Sequence, residues 1–374
     1  MNIPIARPFF DREEEEAALA VIRSGWVSQG PKVREFEEIF ASAVGVRHAV
    51  ATTSCTTALH AALAVSGIGP GDDVIVPSLS FIATANAVVH AAARPVFADV
   101  DPETCNLTVE TIERAMTPKT RAAICVHQMG LPADLDPIME FCGSRGLLLI
   151  EDAACAIGSE YKGRRIGGHG NVACFSFHPR KVITTGEGGM ITTDDGGLAE
   201  KLRRFRHHGM SVSDLERHLA TTVVLESYPE IGYNYRMTDI QAAIGIVQMR
   251  KLPVIVGRRR VLAERYTRAL SNVGGIRMCR IPEYVFHNFQ SYWIELVGAS
   301  RGERDRIMQA LLDRGITTRR GIMAIHHEER YRDSGAILPV TDRLTDNSIL
   351  LPIFPAMTEL EQGWVIAGVM EAAA

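Results

Sequence analysis

The sequence predicts an α/β protein, with a large domain built on a mostly parallel central sheet and a smaller α+β domain at the C-terminal end. Three observations predict this. From about residue 46 to 193, short β-rich runs alternate with helical ones, the pattern of a parallel sheet covered on both faces. Near Thr238 the alternation gives way to one long helical run. The length of 374 residues exceeds what a single core comfortably holds and suits two domains that share a cleft. We place the large domain, with an N-terminal arm, at residues 1–250 and the small one at 251–374.

In chain order, the strands expected are His48 to Thr52, Asp73 to Val76, Pro95 to Val100, Ala122 to Val126, Leu147 to Asp152, Ala173 to Phe177 and Met190 to Thr193. Each is apolar, β-branched or aromatic enough for a buried strand. Between them lie amphipathic or alanine-rich stretches, Thr57 to Val65, Ile82 to Ala91, Thr108 to Ala115 and Asp134 to Cys142, several preceded by capping residues. From Thr238 a bridging helix runs through Ala242, Ile246 and Met249, is interrupted by Pro253 and resumes from Arg258 to Leu270. Beyond it, Ser291 to Val297 reads as a strand and Glu303 to Arg314 as a helix ended by Gly315. In such sheets, ligands collect where the carboxyl ends of the strands open into loops.

Composition narrows the function classes. Apolar residues make up 46% and charged ones 22%, as in an ordinary globular chain. The net charge is -4, and only Arg258, Arg259 and Arg260 cluster, so there is no broad basic face for nucleic acid. The seven cysteines form no CxxC pair, which points to reduced thiols in a cytoplasmic protein and away from a disulfide framework or a zinc site. The N-terminus runs into Glu13 to Glu16, and no run approaches the ~20 apolar residues of a membrane span.

Three clusters carry chemistry. Thr52 to Thr57 follows the first strand and opens a helix; hydroxyls and unpaired amides at a helix N-terminus make an anion site, with phosphate the natural guest. Simple capping is the plain alternative. Asp152, beside Glu151, ends an apolar strand and at that depth needs a partner, either a protonated pyridine nitrogen or an arginine. Lys181 lies just past a strand, before the glycine-rich run Gly186 to Gly189; it fits an amine shielded for imine chemistry, although a lone lysine is more often a solvated loop charge. Taken together, a phosphate cup, a buried acid and an amine are what pyridoxal 5′-phosphate (PLP) requires for its phosphate, ring nitrogen and aldehyde.

The segments GWVSQGPKVREFE, SCTTALHAAL, PSLSFIATANAV, EDAACAIG, FSFHPRKVITTGEGG and GYNYRMTDIQAAIG resemble those of the DegT-like sugar aminotransferases, a family of fold-type I PLP-dependent enzymes. The likeness covers nearly the whole chain, in order. It implies that Lys181 carries PLP as a Schiff base, where related dehydratases have histidine, and that Asp152 holds the pyridine nitrogen. By the same resemblance, Cys55 and Thr56 form the phosphate cup with Ser176, Phe81 stacks on the ring, and Cys155 lies near the cofactor. Asn234 is implied to reach the phosphate from the neighbouring subunit of a homodimer with shared active sites. Ser28, Gln29 and His326 are implied to lie near the substrate. The resemblance implies a nucleotide-linked keto-sugar as that substrate, with an amino acid, glutamate or glutamine, as amino donor.

Two positions depart from the family pattern. Cys155 stands where histidine or glutamine is common, and a thiol is a weak donor. His127 keeps the usual strand-end place, but Met129 replaces a frequent tyrosine. These leave a 3-keto-sugar or a cyclitol ketone open as acceptor beside the expected 4-keto-6-deoxyhexose. A non-catalytic PLP-binding regulator of the same fold is the rival outside enzymes, and the joint retention of Lys181, Asp152 and the phosphate cup argues against it.

Overall fold

Alternate residues along the predicted strands feed two different apolar layers, and this organises the first half of the chain. The computed structural model describes residues 1–213, 217–218 and 220–372. Its central sheet has seven strands, in spatial order His48–Thr52, Gly189–Thr193, Val172–Ser176, Leu148–Asp152, Thr120–Val126, Asp73–Pro77 and Arg94–Ala98. Six run in one direction, while Gly189–Thr193 is antiparallel to both its neighbours. All seven expected strands form, with ends within two residues of those read from the sequence. Ala49, Ile75, Ala123, Leu149 and Phe175 point into one layer. Val50, Val76, Ile124, Ile150 and Cys174 point into the other. Both faces are therefore dry, as the near-continuous apolar runs require.

The helix Asp239–Leu270 is unbroken, so the interruption expected at Pro253 does not occur. Its first half packs on the helices Arg12–Ser24 and Pro31–Val44, where Leu252, Ile255 and Val256 enter the same apolar layer as Phe36 and Phe40. Burying side chains of this size stabilises by about 1.5–3 kcal/mol each, enough to outweigh the hydrogen bond that Pro253 removes. The helix also carries the chain through residues 250 and 251 without a break. Gly245 allows the close crossing, since a Cβ there would meet the Phe36 ring at 2.6 Å.

The second half forms an antiparallel sheet ordered Ile276–Met278, Tyr292–Leu296, Ser348–Leu351 and Arg319–Arg320. The helices Arg301–Asp313, Pro339–Asn347 and Glu359–Ala372 accompany it. The expected strand and helix of this region are both present, at Tyr292–Leu296 and Arg301–Asp313. The N-terminal arm crosses to this sheet: Ile3 bridges to Ile316 and is buried with Leu262, Tyr266 and Leu311.

Candidate active site

The carboxyl ends of five codirectional strands open into one cavity of about 450 Å³, within the ~300–1,000 Å³ range of cofactor and substrate pockets. It is lined by Cys55, Thr56, Phe81, Asp152, Cys155, Ser176 and Lys181. Seven of the expected site residues thus share one space. Strand register explains the depth of Asp152: it pairs with Val126 and Cys174 in the sheet interior, and alternation sends Glu151 to the opposite face. There Glu151 meets the fully buried His127, Nε2 to Oε2 at 2.9 Å, while the Ala133 amide donates to His127 Nδ1. His127 is therefore a structural partner of Glu151 and does not line the cavity.

Asp152 is buried and its oxygens are aimed. Oδ2 accepts from the Thr84 hydroxyl at 2.9 Å and Oδ1 from the Ala154 amide at 3.2 Å. Cys55 Sγ approaches Oδ1 at 3.9 Å. Burial pushes the Asp152 carboxyl above the ordinary aspartate range, and the Thr84 hydrogen bond and the Lys181 charge work against it without cancelling it. A carboxylate so placed would hold a protonated ring nitrogen in the cavity.

Lys181 follows the turn after Val172–Ser176, and its Nζ donates to Cys155 Sγ at 3.2 Å. Burial pulls the Lys181 ammonium down, but Cys155 in contact, with Cys55 and Asp152 behind it, holds it above the ordinary lysine value. Burial above all, then the Asp152 charge, pushes the Cys55 thiol well up.

The phosphate end is built by a helix start. Ser54 caps Cys55–Val65 in a reciprocal pair with Thr57, which leaves the amides of Cys55 and Thr56 without intrahelical acceptors and pointing into the cavity mouth. Gly189 makes this possible, because a Cβ there would stand 2.4 Å from the Ser54 carbonyl carbon. Phe81 is 57% exposed at the cavity rim and offers an apolar ring there. These residues fit PLP at the phosphate, ring face, ring nitrogen and aldehyde.

Four expected residues stand elsewhere. Asn234 is exposed, in a bridge with His207 beside the Thr53 and Tyr235 contact. Ser28 accepts from the Asp239 amide, and Gln29 lines a separate cavity of about 330 Å³. Asp239 also caps the helix Pro31–Val44 by accepting from the Gly30, Lys32 and Val33 amides. His326 does not line the cavity but is buried against Ser78, with Oγ at 2.7 Å from Nδ1. The hydrogen bond to Ser78 and the backbone pairing of Ile325 with Ser78 turn it away.

Sequence reasoning missed Thr84, Gln290, Ser291 and Asn288. Thr84 was detectable, since it lies three residues after Phe81, in the first turn of the helix Ala83–His90. Gln290 and Ser291 line the cavity from the second sheet's approach. The Asn288 amide nitrogen donates to the Cys155 and Ile157 carbonyls at 2.8 and 2.9 Å, fixing the loop that presents Cys155; no local signal marks it.

Comparison with known proteins agrees with this geometry. A model of the DegT/DnrJ/EryC1/StrS aminotransferase family matches residues 8–370. A curated relative from Methanocaldococcus jannaschii, named only as an uncharacterized protein, is 37% identical over 362 residues, covering 96% of this chain and 94% of its own. Among solved structures, the aminotransferase TlmJ of Streptoalloteichus hindustanus has a TM-score of 0.92 at 35% identity, over 99% of this chain and 98% of that one. PseC of Helicobacter pylori, an aminotransferase involved in the biosynthesis of pseudoaminic acid, scores 0.93 at 26% identity, over 100% and 99%. The PLP form of the putative sugar aminotransferase Spr1654 of Streptococcus pneumoniae scores 0.92 at 27%, over 100% and 99%. With fold, cavity and relatives in agreement, the chain belongs to the DegT/DnrJ/EryC1/StrS aminotransferase family and is a PLP-dependent aminotransferase.

Proposed function

We propose that the enzyme transfers an amino group from glutamate or glutamine to a nucleotide-linked keto-sugar, a 4-keto-6-deoxyhexose in the first instance. One observation carries the substrate class: Arg319 lines the same cavity as Lys181 and Asp152, and among the described residues it has no carboxylate partner. A guanidinium left free at a cavity wall suits bidentate contact with a diphosphate. Its neighbour Arg320 is instead paired with Glu328 at 3.3 Å, outside the cavity. Gln290 and Ser291 add polar groups for sugar hydroxyls.

PLP, when bound, supplies the electron sink for the carbanion left after an amino donor loses its α-proton. Lys181 Nζ is the group that holds and moves that proton. Asp152 keeps a positive charge on the ring nitrogen, and Thr84 and Ala154 keep its oxygens aimed. The Cys55 and Thr56 amides with Ser176 bind phosphate, Phe81 covers the ring, and Cys155 orients Nζ. Asn234 acts across a homodimer, reaching the neighbouring copy's cavity.

The test converts the enzyme to its pyridoxamine-phosphate form and offers nucleotide-linked 4-keto-sugars, 3-keto-sugars and keto-cyclitols in parallel. Pyridoxal absorbance should return with the 4-keto-sugar. Its return with the cyclitol alone overturns the nucleotide-sugar reading and leaves the aminotransferase chemistry intact.

A further inference from the structure

His326, held outside the catalytic cavity, converges with His327 and Asp342. One donor atom from each of the three lies within 4.8 Å of the other two. His326 Nε2 is 3.0 Å and His327 Nε2 2.7 Å from the same oxygen, Asp342 Oδ1. Yet that oxygen is buried and, among the described residues, accepts no hydrogen bond. The contacts have the distance of ion pairs, and the three donor atoms cluster in one place.

The second observation is how His326 is held. It is 8% exposed, and fully buried Ser78 places Oγ 2.7 Å from Nδ1 while also accepting the His326 backbone amide at 3.0 Å. Ser78 thus holds the ring at Nδ1, and Nε2 faces Asp342 and His327. Such a partner on the far nitrogen is how ligating imidazoles are oriented.

We propose that His326, His327 and Asp342 bind a divalent transition-metal ion, zinc foremost, with water on the open side. Two imidazoles and a carboxylate are a zinc donor set. Ligands ~2.1 Å from a tetrahedral ion stand roughly 3.4 Å apart, wider than the 3.0 and 2.7 Å separations here, and His327 and Asp342, each more than 40% exposed, have room to open around the ion. The ion ties the turn Ile325–His327 to the helix Pro339–Asn347. Just before that turn, Gly321, Ile322 and Met323 line the catalytic cavity, and the Met323 carbonyl accepts from the Ser80 amide. The site is therefore a clamp behind one wall of the active site, independent of which sugar is used.

The experiment uses untagged, PLP-loaded protein stripped with EDTA, titrated with Zn²⁺ by calorimetry and with Co²⁺ by visible absorbance. One equivalent should bind per chain. His327→Gln and Asp342→Asn, both on the exposed side, should each lower affinity about 10–100-fold and abolish the zinc-induced rise in Tm of the parent protein. Unchanged affinity in both variants, or no saturable binding by the parent, overturns the site.

Discussion

Asp152 shows at the scale of one residue how a stability cost becomes a functional group. Its folded-state carboxyl lies above the ordinary value of 3.8, because burial outweighs Thr84 and Lys181. The folded chain then holds a proton that the unfolded chain releases, so this group's contribution is full at low pH and is lost as pH rises from 3.8 through the folded value. Asp152→Asn removes that loss, and at pH 7 it should raise the Tm of cofactor-free protein in scanning calorimetry. The same change should cut turnover about 10²-fold or more, as removal of one preorganised charge does elsewhere. Near-parental turnover would take Asp152 out of the mechanism. The residues that bear chemistry were legible here because Lys181 and Asp152 lie just after predictable strands. Their supports were not: Thr84 and Asn288 act on partners 68 and 133 residues away.

At the scale of elements, the phosphate cup depends on how closely the strand Gly189–Thr193 passes the start of the helix Cys55–Val65. A Cβ on Gly189 would lie 2.4 Å from the Ser54 carbonyl oxygen and 2.7 Å from the Cys55 amide nitrogen. Both are backbone atoms, so the helix start must move. Gly189→Ala should therefore destabilise the fold by about 1–3 kcal/mol, the usual cost of overpacking, and weaken PLP binding more than it shifts the midpoint of urea unfolding. Equilibrium dialysis against PLP measures the first effect and urea titration the second; intact PLP affinity would mean the cup tolerates the shift. The helix Asp239–Leu270 is the element that the sequence misled on, since Pro253 is a local breaking signal overridden by packing on Phe36, Phe40 and their neighbours.

For the whole molecule, the exposed segment around Asn234 is the informative surface. Val223, Leu225, Tyr228 and Ile231 are all exposed, and Asn234 follows them in the chain, also exposed and off its own cavity. If a second copy covers this face, mixed Lys181→Ala and Asn234→Asp chains should regain activity that neither homodimer has, read by turnover after verified subunit exchange. Fully inactive heterodimers would end the shared-site model. The sequence by itself determined the seven central strands, the helices between them and the three chemical motifs, because period, caps and strand-end loops are set by neighbours within a few residues. Only the tertiary structure decided that Arg319 enters the cavity while Arg320 leaves it, and that His326 belongs to Ser78 and Asp342. Adjacent strand residues point to opposite faces. Which face meets the cavity is set by pairing Arg319 with Leu350 and Arg320 with Ile349, a register between distant segments that no local pattern encodes.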